Sequence, residues 1–221
     1  MMKFLFSTIG QKIQIALSGI LLSIFLLFHL INNLALFAGP NTFNAMVGIL
    51  ESIKPIIRVM ECSLLLVLLM HVINALNLNY KNQQASPIKY AHDAQSEITT
   101  LNSRTMAVSG TIILLFFIVH LSYIWYTYQV HDFLPGETYY DVLLRNKLGF
   151  LGHLPTASFY ILSIILIAFH IKHGFQSSLK TFGVNSQSKL FILNYLGFIF
   201  WGIIPSLFVV IVLSIQLGII K

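Results

Sequence analysis

The sequence predicts an all-α integral membrane protein, a single bundle of five transmembrane helices in which residues 1–221 form one domain. Three observations predict it. Hydrophobic residues make up 57% of the chain and charged residues only 9%, against roughly 25% charged in an average soluble domain. Five runs each hold about 20 mostly apolar residues, the length that crosses a hydrocarbon core about 30 Å thick. The basic residues between those runs fall unequally on alternate sides, as the positive-inside rule requires.

The runs cover residues 13–38, 59–79, 105–128, 155–179 and 190–218. The first is too long for the apolar core of a signal peptide and lacks a small-x-small cleavage site, so it is expected to remain as a helix. The connections carry most of the charge, the prolines Pro40, Pro55, Pro87 and Pro135, and polar tracts such as residues 82–86. None is long enough for a second domain.

With the N-terminus in the cytoplasm, the inner side receives Lys3, Lys12, Lys81, Lys89, Arg104, Lys172, Lys180 and Lys189. The outer side receives only Lys54, Arg58, Arg145, Lys147 and Lys221. This bias predicts an N-in, C-out topology. Asp93 and Glu97 fall inside, whereas Glu51, Glu61, Asp132, Glu137 and Asp141 fall outside. The net charge of +6 then faces lipid headgroups or a docked partner, and no loop carries a nucleic-acid-binding motif. The single cysteine, Cys62, excludes an internal disulfide and any multi-cysteine iron–sulfur or zinc motif.

Four of the eight histidines stand one per apolar run: His29, His71, His120 and His170. Ionisable residues inside a membrane are costly and mark function. His29 and His120 lie about 15 residues from the inner ends of their runs, roughly 23 Å deep at 1.5 Å per residue. His71 and His170 lie about 8 to 10 residues from theirs, roughly 12–15 Å deep. Depth therefore pairs His29 with His120 in the outer half and His71 with His170 in the inner half. Two imidazoles at one depth on facing helices suit the axial positions of a haem iron. The expectation is a membrane electron carrier with two haem b groups.

A repeat supports this register. Ser18-Gly19 precedes His29 by the same spacing as Ser109-Gly110 precedes His120. Eleven residues return to nearly the same helix face about 16 Å away, which places Ser18 and Ser109 near the level of the inner pair. Small residues there would let a macrocycle approach the backbone; ordinary helix packing is the alternative. Ala75 and Gly174, each four residues after an inner histidine, also leave room on the ligand face. His173 rivals His170 because it lies three residues further on. His92 and His131 read as solvated loop residues, and His153 as an outer contact for a quinone or propionate. Lys12 and Arg104 occupy comparable places before His29 and His120, where they either snorkel to the interface or pair with haem propionates.

The order Lys12-x-x-x-Ala16-x-Ser18-Gly19, Phe28-His29-Leu30, Asn33-Leu34-x-x-Phe37-x-Gly39-Pro40-x-x-Phe43-Asn44 resembles the start of a known family. Ser103-Arg104-x-Met106, Gly110, His71, His120 and His170-x-x-x-Gly174 continue the match. The family is the five-helix, dihaem cytochrome b anchor subunit of succinate dehydrogenases and fumarate reductases. The resemblance implies that the four histidines are axial ligands, that the first four spans enclose both haems and that the fifth span packs outside the haem bundle. It implies flavoprotein and iron–sulfur subunits on the cytoplasmic face, menaquinone or a related quinone as redox partner, and a bacterial cytoplasmic membrane. Glu51 matches a carboxylate placed beside a quinone near the outer haem; a solvated loop acid is the alternative. Ala168 stands where some fumarate reductases carry a glutamate, which puts a proton path through that position in doubt.

Three other readings bear on the same histidines; a purely structural membrane anchor, with the histidines packing only against helices, leaves their equal-depth pairs unexplained. The haem subunits of nitrate reductases and hydrogenases share the helix number and bis-histidine sites, but tend to gather their ligands on two helices. A transporter with a histidine relay would hold no haem.

Overall fold

The first long helix begins at Ser7, whose hydroxyl donates to the Phe4 carbonyl (2.6 Å) and accepts from the Gly10 amide (3.1 Å), filling one of the amide vacancies of a helix start. The computed structural model describes residues 2–84, 106–184 and 186–221. Helix α1 spans Thr8–Leu34 and tightens into a 3₁₀ turn at Ala35–Ala38. Gly39, at φ 88°, breaks it in a conformation that favours glycine. Pro40 then opens α2, Pro40–Ser52, because its ring presets the helical φ.

The stretch between the first two spans, expected as a connection, is therefore helical. Phe43 and Val47, four residues apart, are the buried residues of α2, and burying them on one face is what holds so short a helix. The second span is α3, Lys54–Gln84. The third, α4, runs Met106–Val130 and contains a π turn, Leu121–Trp125, immediately after His120. A short helix α5, Tyr139–Leu144, starts with a reciprocal capping box between Thr138 and Asp141. Helix α6 covers Leu154–Thr181, with Pro155 in its first turn. Helix α7 is built from Gln187–Phe198, a π turn at Ile199–Ile203, and Ile204–Gln216. Pro205 explains that widened turn: its ring presses towards the carbonyl four residues back, and it has no N–H to donate.

All regular elements among the described residues are helical. Five helices are long and apolar enough to cross a membrane: Thr8–Ala38, Lys54–Gln84, Met106–Val130, Leu154–Thr181 and Phe191–Gln216. They match the five apolar runs in number and order. Where α1 begins before its run and α3 continues past its own, Lys81 Nζ donates to Gln11 Oε1 at 2.8 Å, and just within the runs Asn74 Nδ2 donates to Gln14 Oε1 at 3.0 Å. Cross-helix bonds of this kind contribute about 0.6 kcal/mol each in a membrane.

Helix α1 packs against α3 and α6, α6 against α4 and α7, and α7 against α1. Helix α3 meets α4 through side chains from its first turns. Arg58 binds Gln129, and Glu61 Oε1 accepts from Trp125 Nε1 at 3.0 Å and Gln129 Nε2 at 3.4 Å. An apolar cluster including Leu36, Phe43, Tyr140, Val142, Phe150 and Ile211 closes the end of the bundle formed around Pro40.

At that end the 131–153 segment is tied down by charge. Arg145 pairs with Glu137, their side chains 11% and 9% exposed. Its guanidinium also donates to the Asp132 carbonyl (2.7 Å) and lies over the Phe150 ring. Gly149, at φ 95°, sits against Tyr123, and a Cβ there would overlap the aromatic ring.

Candidate metal centre

The histidines of the four spans meet in two crossed pairs. His29 of α1 faces His120 of α4 with ring centres 5.8 Å apart. His71 of α3 faces His170 of α6 at 6.4 Å. Two imidazoles bonded at about 2 Å to opposite sides of one metal ion have ring centres about 6 Å apart. Both separations therefore suit a shared metal. Among the described residues, no group of three or more histidine, cysteine or acidic side chains is placed to hold a metal ion. A site with two protein donors suits a metal that brings its remaining ligands with it, and a haem brings four nitrogens.

The surroundings of the two pairs differ. Around the first, Phe25 stacks on His29 at 5.5 Å, Phe116 stacks on His120 at 5.7 Å, and Phe208 lies 5.6 Å from His29. The Tyr160 hydroxyl stands 3.4 Å from His120 Nδ1. Around the second, Ser18 Oγ lies 2.9 Å from His71 Nδ1. His170 Nδ1 is buried with no hydrogen-bond partner. That orphaned nitrogen, and the open space that a Cβ on Gly174 would enter, fit a site completed by a further group. The α6 register brings His170, rather than His173, against the His71 ring.

The repeated Ser-Gly pairs sit where the helical repeat puts them, level with the inner histidines. Ser18 touches an inner histidine directly. A Cβ on Gly19 would lie 3.4 Å from His71 Cε1, and one on Gly110 would lie 3.7 Å from His170 Cε1. Both glycines therefore lie beside the rings of the inner pair. Ser109 is buried, with its hydroxyl donating to Met106 O at 3.1 Å. Because Ser18 is level with His71 and eleven residues from His29, the two pairs are separated by about 16 Å along α1.

Glu51 falls in the last turn of α2, not in a plain loop. It accepts from Lys54 Nζ at 2.6 Å, and Lys54 Nζ lies 3.5 Å from His131 Nε2. His131 Nδ1 in turn lies 3.3 Å from the Tyr139 hydroxyl. Burial, then the Glu51 charge, pushes the Tyr139 hydroxyl above its ordinary pKa. His131, read from sequence as a solvated loop residue, is exposed but belongs to this cluster. Its link to Glu51 runs through residues 77 positions apart, so no local pattern announces it. His153 Nδ1 lies 3.0 Å from Thr156 Oγ1 on the first turn of α6. Lys12 is exposed near the start of α1. Arg104 and His92 lie outside the described residues.

Fold and site together define a class: a five-helix chain of membrane-spanning length with two crossed histidine pairs inside it. No family model, curated protein or solved structure matches this chain.

Proposed function

We propose that this chain is the dihaem cytochrome b membrane anchor of a succinate:quinone oxidoreductase, carrying electrons between a cytoplasmic iron–sulfur subunit and menaquinone or a related quinone. The observation that carries the reading is the pair of imidazole–imidazole separations, 5.8 and 6.4 Å, each joining helices from different halves of the chain. His29 and His120 would hold one haem b, His71 and His170 the other. A haem supplies reversible one-electron chemistry at its iron. The chain's own residues fix the two imidazoles of each pair and surround the first with apolar rings that keep water from the metal.

In this reading the Thr8 end faces the cytoplasm of a bacterium, where a flavoprotein and an iron–sulfur subunit dock against its basic residues. Lys12 and Arg104 are then available to haem propionates. Succinate oxidation and fumarate reduction differ in the direction of electron flow, which the partner subunits and the quinone potential govern.

A reduced-minus-oxidised optical spectrum with haem quantification tests the proposal. Two low-spin b-type haems per chain are expected; a haem-free chain would sink it. Co-purification of flavin- and iron–sulfur-containing partners, with succinate and fumarate assays, separates this reading from other respiratory cytochromes.

Glu51 is assigned to proton exchange with quinone at the opposite end. Glu51→Gln is expected to lower quinone turnover about a hundredfold, within the range of general acid–base contributions, while both haem spectra persist. Unchanged turnover would remove Glu51 from the site.

A further inference from the structure

We infer that Ser18 is a positioning residue for the His71–His170 centre: it fixes the tautomer of His71 and thereby the strength of that imidazole as a ligand. The part concerning a metal rests on the haem reading above; the part concerning the tautomer does not.

Ser18 is fully buried on α1. A serine hydroxyl has one proton and two acceptor lone pairs. The proton is committed to the Gln14 carbonyl, 2.6 Å away, with the Ile15 carbonyl next at 3.1 Å. The oxygen can therefore meet His71 Nδ1, at 2.9 Å, only as an acceptor, and Nδ1 must carry the ring proton. A neutral imidazole has a single N–H. Nε2 is then left with the free lone pair that a metal requires. Gly19 borders the same ring, and a Cβ there would stand 3.4 Å from His71 Cε1.

The same bond tunes the ligand. A hydrogen bond accepted from Nδ1–H raises the electron density that Nε2 offers. A more basic ligand favours the oxidised metal, so the bond lowers the midpoint potential of this centre. The His29–His120 centre, about 16 Å further along α1, does not feel Ser18.

Two measurements on the full chain test this independently. In chain purified without haem and carrying 15N-labelled histidine, His71 is expected as the Nδ1–H tautomer, shifting to a mixture in Ser18→Ala. An Nε2–H tautomer in the unaltered chain would overturn the inference whatever the fate of the haem reading. In haem-loaded protein, Ser18→Ala is expected to raise the potential of one haem and leave the other in place, and Ser18→Thr, which keeps the hydroxyl, should restore it. Two unshifted haem potentials in Ser18→Ala would also overturn it.

Discussion

Replacing His71 or His170 with alanine is expected to lower the haem content from about two per chain to about one, and replacing His29 or His120 to remove the other haem instead. On the dihaem proposal each pair would be the entire protein donor set of its haem, since no third ligand-type side chain joins either pair among the described residues. Losing one imidazole would then leave that haem with a single protein donor and no substitute ligand beside it. The four variants should fall into two classes in electron paramagnetic resonance, each class missing one low-spin signal. The assignment within α6 is exposed to the same experiment. If His170→Ala keeps both signals and His173→Ala loses one, the ligand is His173.

Arg145→Ala is expected to destabilise the 131–153 segment by about 3 kcal/mol, the scale set by removing one partner of a buried ion pair. The loss would leave the Glu137 carboxylate, 9% exposed, with the Leu134 amide (2.9 Å) as its remaining donor among these contacts. It would also take away the donor to the Asp132 carbonyl and the cation over Phe150. The hydrogen bond from Arg145 holds the Glu137 carboxyl below its ordinary pKa. A depressed carboxyl contributes stability above its unfolded pKa, about 4.3 for glutamate, and loses it as pH falls through the lower folded value. The opening free energy across 131–153, taken from amide exchange after correction for the intrinsic pH dependence of the exchange rate, should be flat near neutrality and fall in the acid range below about 4. In Arg145→Ala the segment should exchange fast at neutral pH. Unchanged protection in that variant would show that the apolar cluster alone holds the loop.

The spans were legible because membrane solvation imposes a strong, local demand: every apolar run in the sequence has its helix. The crossed pairing was legible for a related reason, since depth along a helix can be counted at a fixed rise, and there is one histidine per run among the first four. Features that depend on where helices stand relative to one another were not legible. No local pattern pairs Gln11 and Gln14 with Lys81 and Asn74, yet they stitch α1 to α3. Helix α2 escaped because its apolar face, Phe43 and Val47, spans only one turn. Ser18 lay halfway between: its level followed from helical periodicity, but its bond to a histidine 53 residues away depends on how α1 and α3 are rotated.

The crossing of the two pairs also sets an order of events during synthesis. Each centre draws one imidazole from the α1–α3 hairpin and one from α4 and α6, so neither can close when only the first hairpin has entered the membrane. The His29–His120 centre waits for α4 and the His71–His170 centre for α6. Ser18 and His71, by contrast, both belong to that first hairpin. One of the four rings is thus already held in place while its future partner is still being translated, and on the dihaem proposal cofactor capture would be the step that staples the later half of the chain to the earlier one.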